Sequence, residues 1–451
     1  MVPLTIHVKS PDSQSVAILG GGLAGLAAAD RISDLGYRVT LVERRPLLGG
    51  ALIDDSSYDG PEPFTILGCH HATQALLHSL HASSQPPTDI TIPLEFRLPD
   101  GSFVHYPRTS FPAPLHTWVN LLRFAGIPWK ERWRLASWVE QLWEGDAELP
   151  ADLEQRTAAD WLASIGQSAQ TRSLVWNPLA QWLTGNDLTT MSADAFVRSM
   201  KPVFLSSHPD SRVSVVQSSL RVCFVQPITQ RLRQQRATIL FNTEATQLRY
   251  EQERISGVQL RNGSLLQADW YVIALPPQQL TPLIPERWLT RYAYFQQLSE
   301  LQSFDSTIVD VHIAQPCVSP RLILLSDTAF HSALITASTP EHTGITLTTT
   351  DNPFAQTRTE SRHDTAIPDL LRSWGLLAPE CKVASIRRRT ISNAILSLKP
   401  GAKLHRPIQQ SPIANLLVAG AWTDTGWPPN LESAIVSGNR CADVIASDRP
   451  V

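Results

Sequence analysis

Short apolar runs that end in turn residues occupy both ends and the middle of the chain, and longer stretches with a helical repeat fill the gaps between them. Residues 16–19 and 39–42 are too short and too uniformly apolar for helices, which predicts two strands buried on both faces. The stretch between them starts at the glycines and ends at Gly36, a suitable helix C-cap. Further on, 238–241 predicts a strand followed by a turn at 242–245. Residues 255–260 and 264–266 flank Asn262-Gly263 and predict a hairpin. The apolar run 270–275 stops at Pro276-Pro277. Strands are expected at 306–313, 321–325 and 344–348, with partial helix over 353–376. At the far end a strand at 415–420 runs into Gly420. Leu431, Ala434, Ile435, Gly438, Ala442 and Ile445 then mark one face of a helix. Residues 1–15 read as a loose lead-in, 54–63 as a loop and 74–80 as a helix.

The stretch 105–205 reads as helical and aromatic. It holds Trp118, Trp129, Trp133, Trp138, Trp143, Trp161, Trp176 and Trp182 of the chain's 13 tryptophans, with Arg123, Lys130, Arg132 and Arg134 interleaved among the first of them. Two readings stand side by side: an amphipathic surface lying on a membrane, or the core of a helical substrate domain with snorkelling cations.

The chemistry concentrates at Gly20-x-Gly22-x-x-Gly25, which closes the first strand and opens the first helix. Gly20 permits the tight turn, Gly22 lets the backbone meet a pyrophosphate, and Gly25 lets helix and strand approach. Helix amides and dipole hold the phosphate charge. Glu43 ends the second strand at about the 20-residue distance expected of an acid that holds ribose hydroxyls, and an acid there disfavours a 2′-phosphate. Gly49 and Gly50 follow, a second glycine pair that separates flavoprotein patterns from plain NAD domains. Leu23 and Ala24 at the helix start, Arg44 after the acid, Ala245 after the turn, Gly420 and Leu431 complete the candidate cofactor contacts.

Composition narrows the partners. With 451 residues, two or three domains are expected. A net charge of −3 gives no support to a nucleic-acid partner. Five scattered cysteines without C-x-x-C fit a reducing compartment and argue against a zinc site. The start lacks an apolar signal-peptide core, and no run of ~18 apolar residues predicts a transmembrane helix. A cytoplasmic chain is expected, with peripheral membrane contact left open.

These motifs resemble the FAD-dependent amine oxidase and phytoene desaturase superfamily over the N-terminal 70 residues, about 238–280, and the final segment. Within it the chain is similar to the hydroxysqualene dehydroxylases. The features are Leu67-Gly68-Cys69 with Ala72-Thr73, Trp176-Asn177-Pro178-Leu179, and Ala419-Gly420 with Trp422-Thr423, Thr425-Gly426, Pro428 and Glu432 to Gly438. It departs from the family pattern at Ala51 (usually Arg), at the 60–64 stretch ending in Phe64 (usually Asp-x-Gly-x-His), and at Ala421 (usually Asp).

The resemblance implies an α/β fold: a discontinuous Rossmann-type FAD-binding domain built from 1–104, 206–284 and 411–451, with an inserted α+β substrate domain from 105–205 and 285–410. It implies FAD as cofactor, an apolar isoprenoid substrate, and reductive removal of the hydroxyl of hydroxysqualene, with room for association with other enzymes of squalene supply. The alternatives are a carotenoid-type desaturase or isomerase, an amine oxidase, or a flavin-binding partner without catalysis. His70, His71 and Asp424 are the candidate proton donors, and Trp422 or Trp427 could stabilise a cationic allylic carbon.

Overall fold

Five short strands from three distant parts of the chain form one parallel sheet in the computed structural model, which describes residues 5–7, 14–53, 62–82, 87, 89–143, 150–315, 319–326, 328–339, 342–350 and 360–448. The order is Leu416–Val418, Trp270–Ile273, Ser15–Leu19, Arg38–Val42, Thr238–Leu240, and every pairing is parallel. The central strand is buried throughout, as its unbroken apolar run requires. Helix Leu23–Asp34 crosses between the first two strands in sequence, ending with Gly36 at φ +83°. The final helix, Leu431–Ser447, packs on it so closely that a Cβ on Gly438 would stand 2.5 Å from the Ala24 carbonyl oxygen. The discontinuous parallel sheet expected from the short apolar runs is therefore present.

A separate sheet has four strands. Arg254–Leu260 pairs antiparallel with Ala245–Glu251 and Leu265–Gln267, the expected meander. Its outer strand is a correction: Thr5–His7, expected to be part of a loose lead-in, pairs parallel with Leu265–Gln267, an edge that would otherwise be unpaired.

A seven-stranded mixed sheet has the spatial order Val383–Leu396, Ser303–Ile313, His342–Thr350, Ser332–Thr339, Arg321–Leu324, Leu94–Arg97, Phe103–His105. Two of its expected strands, now Ser303–Ile313 and His342–Thr350, are longer than the apolar runs suggested, because alternate positions are polar and half-exposed, while the one expected at 321–325 ends at Leu324. Val383–Leu396 was not legible at all: its centre is Arg387-Arg388-Arg389, and its pattern is mostly exposed or half-buried. The helix expected within 353–376 is Glu360–Ser373, residues 353–359 lying outside the described set. Of the expected loop 54–63 only Glu62 and Pro63 are described.

The stretch 105–205 is helical, with α-helices at Leu115–Arg123, Trp129–Trp143, Ala158–Ser164, Asn177–Thr184 and Ala193–Met200. π-helical turns occur at Arg172–Trp176, Lys201–Leu205 and Arg221–Val225. Each contains or directly precedes the turn of a proline, Pro178, Pro202 and Pro227, which lacks the N–H of an ordinary turn and crowds the carbonyl four residues back. Trp161 is 3% exposed and contacts Trp138 and Phe196, and Trp176 meets the same phenylalanine, so these three tryptophans pack in or against the core.

Candidate cofactor cradle and catalytic face

The strand Ser15–Leu19 delivers the chain to Gly20 at φ +106°, where a Cβ would lie 2.5 Å from the Ala274 carbonyl oxygen. A Cβ on Gly25 would lie 2.0 Å from the Gly20 oxygen, so this glycine sets the approach of helix to turn. Gly22 differs. A Cβ there would meet nothing nearer than the Gly50 Cα at 3.9 Å, so the space above it is open. The helix that starts at Leu23 has no side-chain cap and no acid in its first turn. Leu23 and Ala24 thus bring uncapped amides and the positive end of a dipole to an open glycine position.

Gly49 and Gly50 close the other side. The Gly49 N–H donates to the Gly21 carbonyl at 2.8 Å, and Gly22 and Gly49 form a parallel bridge. A Cβ on Gly50, at φ +57°, would fall 2.8 Å from the Gly22 Cα. Glu43 is buried. One carboxylate oxygen accepts the Gly21 N–H at 2.8 Å, and the other accepts the Arg45 N–H at 2.9 Å. The Arg45 guanidinium donates to the Gly50 and Ile53 carbonyls. Arg44, the candidate from sequence, is exposed, and its neighbour Arg45 makes these internal bonds. The turn before Ala245 docks on the same acid, through the Thr243 N–H to the Glu43 carbonyl, and Ala245 itself opens the next strand half-buried. An open glycine, uncapped amides, a buried acid and a second glycine turn fit a dinucleotide diphosphate and its ribose.

At the other end of the sheet, Gly420 donates its N–H to Ser437 Oγ, and Leu431 starts the last helix, whose third amide is capped by the Asn430 side chain. Residues 421–427 between them are held from inside. The Arg406 guanidinium donates to the carbonyls of Ala421, Trp422, Thr423 and Trp427. Burial lowers its pKa to about 10, which leaves it a cation at neutral pH. Thr423 Oγ1, Ser437 Oγ and Gln409 form a buried network below the loop, and Trp422 Nε1 donates to the Leu275 carbonyl. Nothing in the sequence singled out Arg406; its role exists only because four carbonyls turn inward together.

The three acid–base candidates part company. His71 is exposed and bonds Asp210 at 2.7 Å. Asp424 bonds the Gly426 N–H and lines a cleft of about 320 Å³ with Asp194, Arg198, Lys403 and Arg440. His70 is buried edge-on against Trp427, with ring centroids 5.8 Å apart. Burial pulls its pKa down to about 4, and its Nε2 has no hydrogen-bond partner among the described residues. Beside it, Glu432 reaches across from the last helix and accepts from the Ala72 and Thr73 amides and the Thr73 hydroxyl.

The short motif residues have structural duties. A Cβ on Gly68 would fall 1.8 Å from the Pro209 carbonyl oxygen. Burial raises the Cys69 thiol to about 12. Trp176 donates to Gln167, while Asn177 bonds Asp187 and the Leu188 amide.

The family model described as flavin containing amine oxidoreductase matches residues 23–446. A probable zeta-carotene desaturase of Synechococcus elongatus is 24% identical over 95% of this chain and 97% of its own length. A 15-cis-phytoene desaturase of the same organism is 24% identical, covering 95% of each. Among solved structures, an oxidoreductase from Methanosarcina mazei superposes with a TM-score of 0.72 at 15% identity, over 95% of this chain and 100% of that one. A redesigned putrescine oxidase reaches 0.71 at 17%, over 97% and 99%. At these identities the structures speak for the fold.

Proposed function

Because the chain belongs to the flavin-containing amine oxidoreductase family and is an FAD-dependent oxidoreductase, we propose that it desaturates a long, apolar isoprenoid polyene. The observation that carries the reading is similarity to zeta-carotene and phytoene desaturases along nearly the full length of both partners. This revises the expectation of hydroxysqualene reduction. The short motifs behind that expectation are used in packing and turn formation, as above, and do not discriminate between substrates.

Bound FAD supplies a two-electron acceptor. Arg406 fixes the 421–427 loop, and Trp427 of that loop packs edge-on against buried His70. Burial holds His70 neutral, with a pKa of about 4, which makes it a poor acceptor for the proton that desaturation releases.

The test is anaerobic mixing of the holoenzyme with phytoene or zeta-carotene in lipid vesicles. Bleaching of the flavin band together with red-shifted polyene absorption supports the reading. A flavin that stays oxidised with both polyenes, yet is reoxidised by hydroxysqualene after photoreduction, returns the assignment to dehydroxylation. Bleaching by putrescine alone makes the enzyme an amine oxidase.

A further inference from the structure

Helix Leu115–Arg123 gives most of its inner face to polar side chains. His116, Thr117 and Asn120 are 1%, 4% and 1% exposed and share that face with Leu121, whereas Leu115 is 49% exposed and Trp118, Val119 and Leu122 are half-buried. A helix on the surface of a soluble domain turns its apolar stripe inward. This one is locked with polar side chains inward. Asn120 accepts from the Thr109 amide and hydroxyl, and Thr117 donates to the Phe204 carbonyl. Rotating the helix to hide Leu115 and Leu122 would break all three bonds.

The next helix continues the face. Trp129 and Trp133 are 54% and 53% exposed, one turn apart, with ring centroids at 5.6 Å. Arg132 ties the two helices together by donating to the Leu122 and Ile127 carbonyls. Phe111, just before the first helix, is also exposed. The charge is one-sided: Arg123, Lys130 and Arg134 are exposed, and the acid among them, Glu131, is buried and accepts the Ser168 N–H.

We propose that this helix pair is a docking face for an anionic lipid bilayer, with Trp129, Trp133, Leu115 and Phe111 entering the headgroup boundary. Outward apolar side chains ringed by cations are what an interfacial segment needs. A second copy of the chain is a poor occupant, because a two-fold contact sets these cations against one another. The inference is independent of which lipid the enzyme oxidises.

The experiment is flotation of the holoenzyme with phosphatidylcholine vesicles, with and without phosphatidylglycerol. The wild type is expected to float with the anionic vesicles. Trp129→Ser/Trp133→Ser is expected to bind at least about tenfold more weakly, and Lys130→Gln/Arg134→Gln about fivefold more weakly per cation on anionic vesicles only. Both variants should keep the flavin spectrum and melting temperature of the wild type, which separates lost docking from lost folding. The proposal is overturned if the wild type stays out of the floated fraction, if the tryptophan variant floats as well as the wild type, or if sedimentation shows a dimer that only this variant abolishes.

Discussion

Gly22 and Gly25 carry the same residue for opposite reasons, and substitution separates them. Gly25→Ala drives a methyl into the Gly20 carbonyl, so it is expected to cost about 3 kcal/mol of stability. Gly22 has extended backbone and open space. Gly22→Val is therefore expected to leave apoprotein stability within about 0.5 kcal/mol but to weaken FAD binding by about tenfold or more, read by flavin titration. Arg406 is the other single residue on which the site turns. Arg406→Met leaves inward carbonyls without donors and is expected to lower unfolding free energy by about 3 kcal/mol, while Arg406→Lys, with its charge but not its planar fork, recovers part of the loss. Urea denaturation and bound-flavin absorbance read both.

The last helix and helix His71–Leu80 meet through one carboxylate, since Glu432 accepts three hydrogen bonds at the N-terminus of its neighbour. Glu432→Gln puts an amide donor against those donors. It is expected to cost about 2 kcal/mol and to speed hydrogen exchange at residues 72–74. The elements that formed as the sequence suggested are those whose periodicity is settled locally: the apolar strands at 15–19, 38–42 and 270–273, the Asn262-Gly263 hairpin and the final helix. Those that escaped reading depend on distant partners. Val383–Leu396 is an edge strand with arginines at its centre, and Arg387 and Arg389 pair with Glu62 from far along the chain. Helix Leu115–Arg123 was legible as a helix, but its direction of burial was not, because His116, Thr117 and Asn120 share the buried face with Leu121. In the site, the first glycine motif and Glu43 were legible, since backbone geometry dictates glycine. Arg406 and the separate fates of His70, His71 and Asp424 were not, since only tertiary packing distinguishes them.

Over the whole molecule, acid sensitivity follows from buried groups. His70 and His331 are both held near a pKa of about 4 by burial, below their unfolded value of 6.5. The unfolded chain binds those protons first, so stability falls as pH drops from about 6.5 to 4. Asp30 opposes them: burial raises it to about 6, so its penalty disappears over part of the same range as pH falls. Two histidines outweigh one aspartate, and the urea midpoint is expected to be lower at about pH 4.5 than at pH 7, with His331→Gln flattening the slope. The order of the parallel sheet has a temporal consequence as well. Its central strand leaves the ribosome early, but one flanking strand, Leu416–Val418, and the helix whose Gly438 seats against Ala24 come after almost everything else. At roughly 5–20 residues per second, the glycine turns wait tens of seconds for that neighbour, so FAD loading is a late event of biogenesis and a nascent chain stalled before residue 411 holds an unfinished receptacle.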